Sequence, residues 1–192
     1  MSNNQTELLK VSGLKTYFSL ENGKTAKAVD GIDFTIHNGE TVALVGESGS
    51  GKSITSMSIM RLVPEPAGKI VEGSIKLENQ DLLDLSEKEM IKVRGNKIGM
   101  IFQEPMTSLN PVFTIGMQIA EPLIKHRGMK KKEARQKAIE LLKLVGFPRA
   151  EQTIHEYPHQ LSGGMRQRVI IAIAFPVIQS LLLQMSRLLR SM

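Results

Sequence analysis

The run Gly46-Glu47-Ser48-Gly49-Ser50-Gly51-Lys52-Ser53 follows an apolar stretch, Thr41 to Val45, and precedes residues with helical spacing. In that setting the pattern G-x-x-x-x-G-K-[ST] predicts a strand, a glycine loop and a helix in succession. Glycines let the backbone wrap closely, so that successive N–H groups converge on one anion while the helix start adds its positive end. Lys52 is then placed to reach the β- and γ-phosphates of a nucleotide, and Ser53 to ligate Mg²⁺. The alternative, a glycine turn that binds nothing, does not call for strand and helix on either side.

The remaining patterns fit an α/β chain. Leu8 to Val11 reads as a strand, and Ala28 to Ile36 as a second, with Val29, Ile32, Phe34 and Ile36 on alternate positions before a turn at Asn38-Gly39. Thr41 to Val45 is almost wholly apolar, which predicts a central strand buried on both faces. Ser53 to Leu62 predicts a helix ending ahead of Pro64. Gly73 to Leu77 reads as a strand, Ser86 to Val93 as a short helix opened by the Ser86–Glu89 capping-box spacing, and Ile98 to Phe102 as a buried strand. Helical signal dominates from Ile115 to Leu144. Ala134, Ala138, Leu141, Leu142 and Val145 share one side of the last helix, and Gly146 stops it. The pattern predicts an α/β core to about residue 105 and a mainly helical insert to about residue 160.

Composition excludes several classes. A chain of 192 residues can bury a core, and with no cysteine it has neither a disulfide framework nor a thiol nucleophile. The N-terminus lacks a signal-peptide pattern, and the longest apolar run, Val169 to Ile178, is far short of the roughly 20 residues that cross a bilayer. Net charge is +6, but only Lys130-Lys131-Lys132 form a run, so the basicity reads as general and not as a nucleic-acid patch. His155 and His159 are four apart with Pro158 between, which favours loop residues over a zinc pair. His37 and His126 read as surface residues, and the methionines as core filler.

A second constellation, Leu161-Ser162-Gly163-Gly164-Met165-Arg166-Gln167-Arg168, opens the apolar helical stretch Val169 to Ala174. By itself it is an ordinary helix cap whose free N–H groups can hold an anion. Coming after a phosphate loop, it resembles the signature motif of ATP-binding cassette (ABC) ATPases, and the likeness runs from about Leu8 to Ala174. The resemblance implies an α/β fold: a P-loop NTPase (RecA-like) core with N-terminal antiparallel β strands and an α-helical subdomain, incomplete at the C-terminus. On that plan residues 1–105 form the core, 106–165 the helical subdomain, 166–174 the signature helix and 175–192 an aberrant tail.

The resemblance also assigns residues. Gly46 to Ser53 would bind ATP and Mg²⁺, and Ser162, Gly163 and Gly164 would serve the nucleotide on a second ABC ATPase subunit in a head-to-tail dimer. Phe18, with Tyr17 as the second choice, matches the aromatic that stacks on adenine, and core packing is the alternative for both. Gln103 matches the Q-loop glutamine, so Ser53 and Gln103 are the expected metal contacts. Ala28-Val29-Asp30-Gly31 and the stretch Gly99 to Pro111 resemble the ATPase subunit of dipeptide and oligopeptide importers, wording that nickel importers share. The implied partners are two membrane permease subunits and, indirectly, an extracytoplasmic substrate-binding protein, with no nucleic acid. The implied location is peripheral, on the cytoplasmic face of the cell membrane.

An intact family member continues into a second buried strand ending in aspartate and glutamate, then a D-loop and a switch histidine. Phe175 to Met192 matches none of these and holds no acidic residue. Read one frame over from codon 174, with permitted codons, the same tail can spell Ile-Ala-Asp-Glu-Pro-Thr-Thr-Ala-Leu-Asp, the family's wording there. The expectation is an out-of-frame remnant after a lost base, no recognisable Walker B strand in the tail, no catalytic residue beyond Gln103, apolar sheet edges and negligible ATP hydrolysis. A nickel importer subunit, a nucleic-acid-associated ABC ATPase and a pseudogene product without function are the rival readings.

Overall fold

The computed structural model describes residues 6–94, 96–101, 108–175 and 180–184, in two compact units, Met1–Ile91 and Lys92–Met192.

The first unit is built on an antiparallel sheet. β1 (Glu7–Ser19) and β2 (Thr25–His37) form a hairpin, β3 (Gly68–Leu77) pairs with the other edge of β1, and β4 (Gln80–Asp81) pairs with β3. Both strands of the hairpin run longer than their apolar alternation alone predicts, because pairing extends to polar ends such as Ser19↔Thr25. Leu9, Leu14, Ile75 and Leu77 are fully buried on the sheet's inner face. α1 (Lys52–Ile59) packs on that sheet through Thr55, Ser58 and Ile59. A buried hydroxyl pair, Thr16 Oγ1 with Ser58 Oγ at 2.8 Å, joins β1 to α1 without leaving either oxygen unpartnered. α2 (Glu87–Val93) opens as its spacing predicts: the Ser86 backbone N–H donates to the Glu89 carboxylate at 2.8 Å.

Thr41 to Val45 departs from expectation. It forms no strand, and Val45 is 71% exposed. Apolar residues state a demand for burial, but a strand also needs a neighbour to complete its ladder, and no ladder forms on this segment among the described residues.

The second unit is mainly helical. α3 (Ile115–Arg127), α4 (Lys131–Leu144), the short α5 (Ala150–Thr153) and α6 (Gly163–Ala174) enclose a core that includes Ile119, Leu123, Ala138, Leu142, Phe147 and Val169. Gly128 and Gly146 stop α3 and α4 in left-handed conformations. β5 (Ile98–Ile101) pairs parallel with β6 (Leu181–Gln184), in the register Ile98↔Leu181 to Ile101↔Gln184. The tail offers no recognisable Walker B wording, yet Leu181–Gln184 forms a strand beside β5. Leu181 is buried in that pairing while Leu182 stays exposed, and α6 provides the helix that leads into the parallel strand. No helix among the described residues is long and apolar enough to cross a membrane.

Candidate functional site

The glycine loop ends where a side chain would not fit. Gly51 has φ +85°, and a Cβ there would lie 2.2 Å from the carbonyl oxygen of Ala28 on β2. Only glycine allows both the left-handed turn and this close approach. Gly51 also caps α1 without a side chain, so the first amides of the helix keep no internal acceptor and remain available to an anion. Lys52, the first residue of α1, folds its ammonium back over the loop. It donates to the carbonyls of Gly46 at 2.7 Å and Glu47 at 2.5 Å, and to Ser50 Oγ at 3.0 Å. Residues 46–50 are exposed, as is Ser53 one position beyond Lys52.

The donor set can hold Mg²⁺ only in shared form. No group of three or more His, Asp or Glu among the described residues could bind a metal alone, so the Ser53 hydroxyl together with phosphate oxygens is the fitting arrangement. Gln103 lies outside the described residues.

The two aromatic candidates occupy different settings. The Tyr17 hydroxyl donates to Asp30 at 2.5 Å and its ring carries Lys27 at 5.4 Å. The hydrogen bond from Tyr17, and then Lys27, hold Asp30 below the usual carboxylate range, while the same bond raises the Tyr17 phenol. Phe18 is half-buried beside Gly68 and Val63, close enough that a Cβ on Gly68 would meet its ring at 2.5 Å. Thr16, two positions earlier on the same face of the strand, meets α1, so Phe18 shares the α1 side and Tyr17 points the other way. Phe18 pairs with Ala26, two residues before the Ala28 carbonyl that touches the loop.

Ser162 caps α6: its Oγ accepts from Met165 N–H at 3.3 Å. The next two residues, Gly163 and Gly164, have nothing within 4 Å of where a Cβ would stand, so no contact among the described residues requires glycine there. Three of the four histidines are engaged elsewhere: His155 with Arg135 at 2.9 Å, His159 stacked on Tyr157, and His37 with Glu40 at 3.1 Å. Sequence reasoning did not foresee the three-oxygen cage around Lys52 or the Tyr17–Asp30–Lys27 cluster. Each depends on rotamers and strand register, which motif spacing does not encode.

The family described as "ABC transporter" matches residues 29–184. The chain is 65% identical over 176 residues to the oligopeptide transport ATP-binding protein AppD of Bacillus subtilis (strain 168), covering 92% of this chain and 53% of that protein. OppD, the oligopeptide transport ATP-binding protein of the same organism, is 51% identical over 178 residues, 93% of this chain and 49% of its own. The chain thus spans about half the length of the curated relatives it matches. Among solved structures it is similar to the ATP-binding cassette MJ0796 in a dimeric post-hydrolysis state bound to ADP and Pi. There the TM-score is 0.79 at 27% identity, over 94% of this chain and 88% of that one.

Proposed function

The chain belongs to the ABC transporter family, and from that membership we propose that it acts as the ATP-binding subunit of a peptide importer. The carrying observation is the loop itself: a side-chain-free helix start at Gly51, pressed against β2, with the Lys52 ammonium over it. Backbone amides from Gly46 to Ser53 hold the phosphates, Lys52 meets the β- and γ-oxygens, and Phe18 stacks on adenine. Ser53 would hold Mg²⁺, which when bound neutralises charge on the β- and γ-phosphates.

Ser162, Gly163 and Gly164 face the nucleotide of a second ATPase subunit in a head-to-tail dimer. Support comes from the open space beside both glycines and from the dimeric state of the similar cassette. Two membrane permease subunits bring the dimer to the cytoplasmic face of the membrane, and peptides are the cargo, a reading supported by the transport names of the relatives. Hydrolysis by this chain is negligible. β6 ends on Gln184, and residues 175–192 supply no carboxylate to take a proton from water.

Three measurements test these statements. Nucleotide titration of the purified chain should show saturable ATP binding, and a phosphate-release assay should show no turnover above background. Co-purification from membranes should recover permease subunits and no nucleic acid. Turnover would remove the statement on hydrolysis and leave the nucleotide-binding reading intact.

A further inference from the structure

The Ser50 side chain has no part in the reading above, yet it completes the cage around Lys52. An ammonium has three N–H donors, and here each has an acceptor: the carbonyls of Gly46 and Glu47 and the Ser50 hydroxyl. Lys52 can therefore meet a phosphate only by giving up one of them. The two carbonyls are fixed by the backbone, and the Glu47 carbonyl also accepts from Ser50 N–H at 3.2 Å, which closes the turn. The hydroxyl is the one acceptor of the three on a rotatable bond. Its seat also depends on glycine, since a Cβ on Gly46 would lie 2.7 Å from Ser50 Oγ.

We propose that Ser50 is a positioning residue that holds the Lys52 ammonium against its own loop and so sets how readily the lysine is released to the β- and γ-phosphates of a bound nucleotide. The proposal rests on the nucleotide-binding reading and adds a control of affinity within the same loop. Its sign is unusual for a phosphate-loop hydroxyl. A serine that bonded phosphate directly would lose affinity on truncation. A serine that restrains the lysine gains affinity on truncation, because one competing acceptor disappears. The gain is confined to ligands that engage Lys52, which means ATP and ADP but not AMP.

The test is calorimetric titration of the full chain, and of its S50A and S50T forms, with ATP, ADP and AMP, after circular dichroism has shown each to be folded. The expected result is S50A binding ATP and ADP about fivefold more tightly, the effect of one lost charge-assisted hydrogen bond. AMP affinity stays unchanged and S50T, which restores the oxygen, returns to the parent values. Should S50A not fold, S50G carries the same comparison. Weaker or unchanged ATP binding by the truncated form overturns the role of Ser50 while leaving the nucleotide reading intact. A folded parent chain that binds none of the three overturns both.

Discussion

The chain contains two glycine-rich helix starts that look alike as text and differ in what surrounds them. At Gly51 the missing side chain is demanded from within, by a positive φ and by the Ala28 carbonyl 2.2 Å from any Cβ. At Gly163 and Gly164 nothing among the described residues approaches the empty position. α1 starts on a residue with no capping side chain, whereas α6 starts on a serine that satisfies its own helix amide. The first arrangement keeps its amides for an anion and holds a cation over them. The second is a stable, self-capped start with bare backbone facing outward, as a surface must be if another molecule is to come close. One glycine is required by its own fold, and at the other two the fold leaves the position open.

Substitution should separate the two. Gly51→Ala has the largest expected effect, a loss of about 3 kcal/mol of stability from the left-handed backbone and the clash with β2, read as a lowered melting temperature. Gly164→Ala, at a helix position with open space around it, should leave the melting temperature unchanged or raise it by the equivalent of about 0.5–1 kcal/mol. Its cost should appear only in ATP-dependent dimerisation, followed by light scattering. If the two substitutions destabilise equally, the contrast fails.

Ser162→Ala should cost about 1 kcal/mol through the lost cap on α6, measured by chemical denaturation. The smallest effect belongs to the outer face of the hairpin. Asp30, lowered by Tyr17 and then by Lys27, adds stability that is fully present above the ordinary carboxylate pKa. That contribution fades as pH falls through the lower folded value. Asp30→Asn should therefore flatten the acid limb of the melting temperature against pH, by a small amount because the groups are exposed and screened by salt.

How much was legible in the sequence follows the same division between local and distant causes. The phosphate loop could be read because its chemistry lies in eight consecutive residues, and the Ser86–Glu89 box because both partners sit within one helical turn. α4 could be read from its apolar spacing alone. Thr41 to Val45 was misread because apolar content implies burial but does not name a ladder partner. β6 was missed for the converse reason: Leu181 to Leu183 carried no family wording, yet leucines pair beside Ile98 to Ile101 whatever their origin. The apolar run after α6 was the available signal, since a helix leaving one parallel strand commonly leads into the next. The different settings of Phe18 and Tyr17 follow from strand register and packing, which a single sequence does not display.

The central claim is that Gly46 to Ser53 grips the phosphates of a nucleotide with Lys52 as its cation. Equilibrium titration of the 192-residue chain with ATP, beside a folded Lys52→Ala variant, tests it most directly. The account predicts saturable single-site binding that weakens by roughly 10- to 100-fold in the variant. A folded parent chain with no affinity for ATP, or two chains that bind alike, would contradict it.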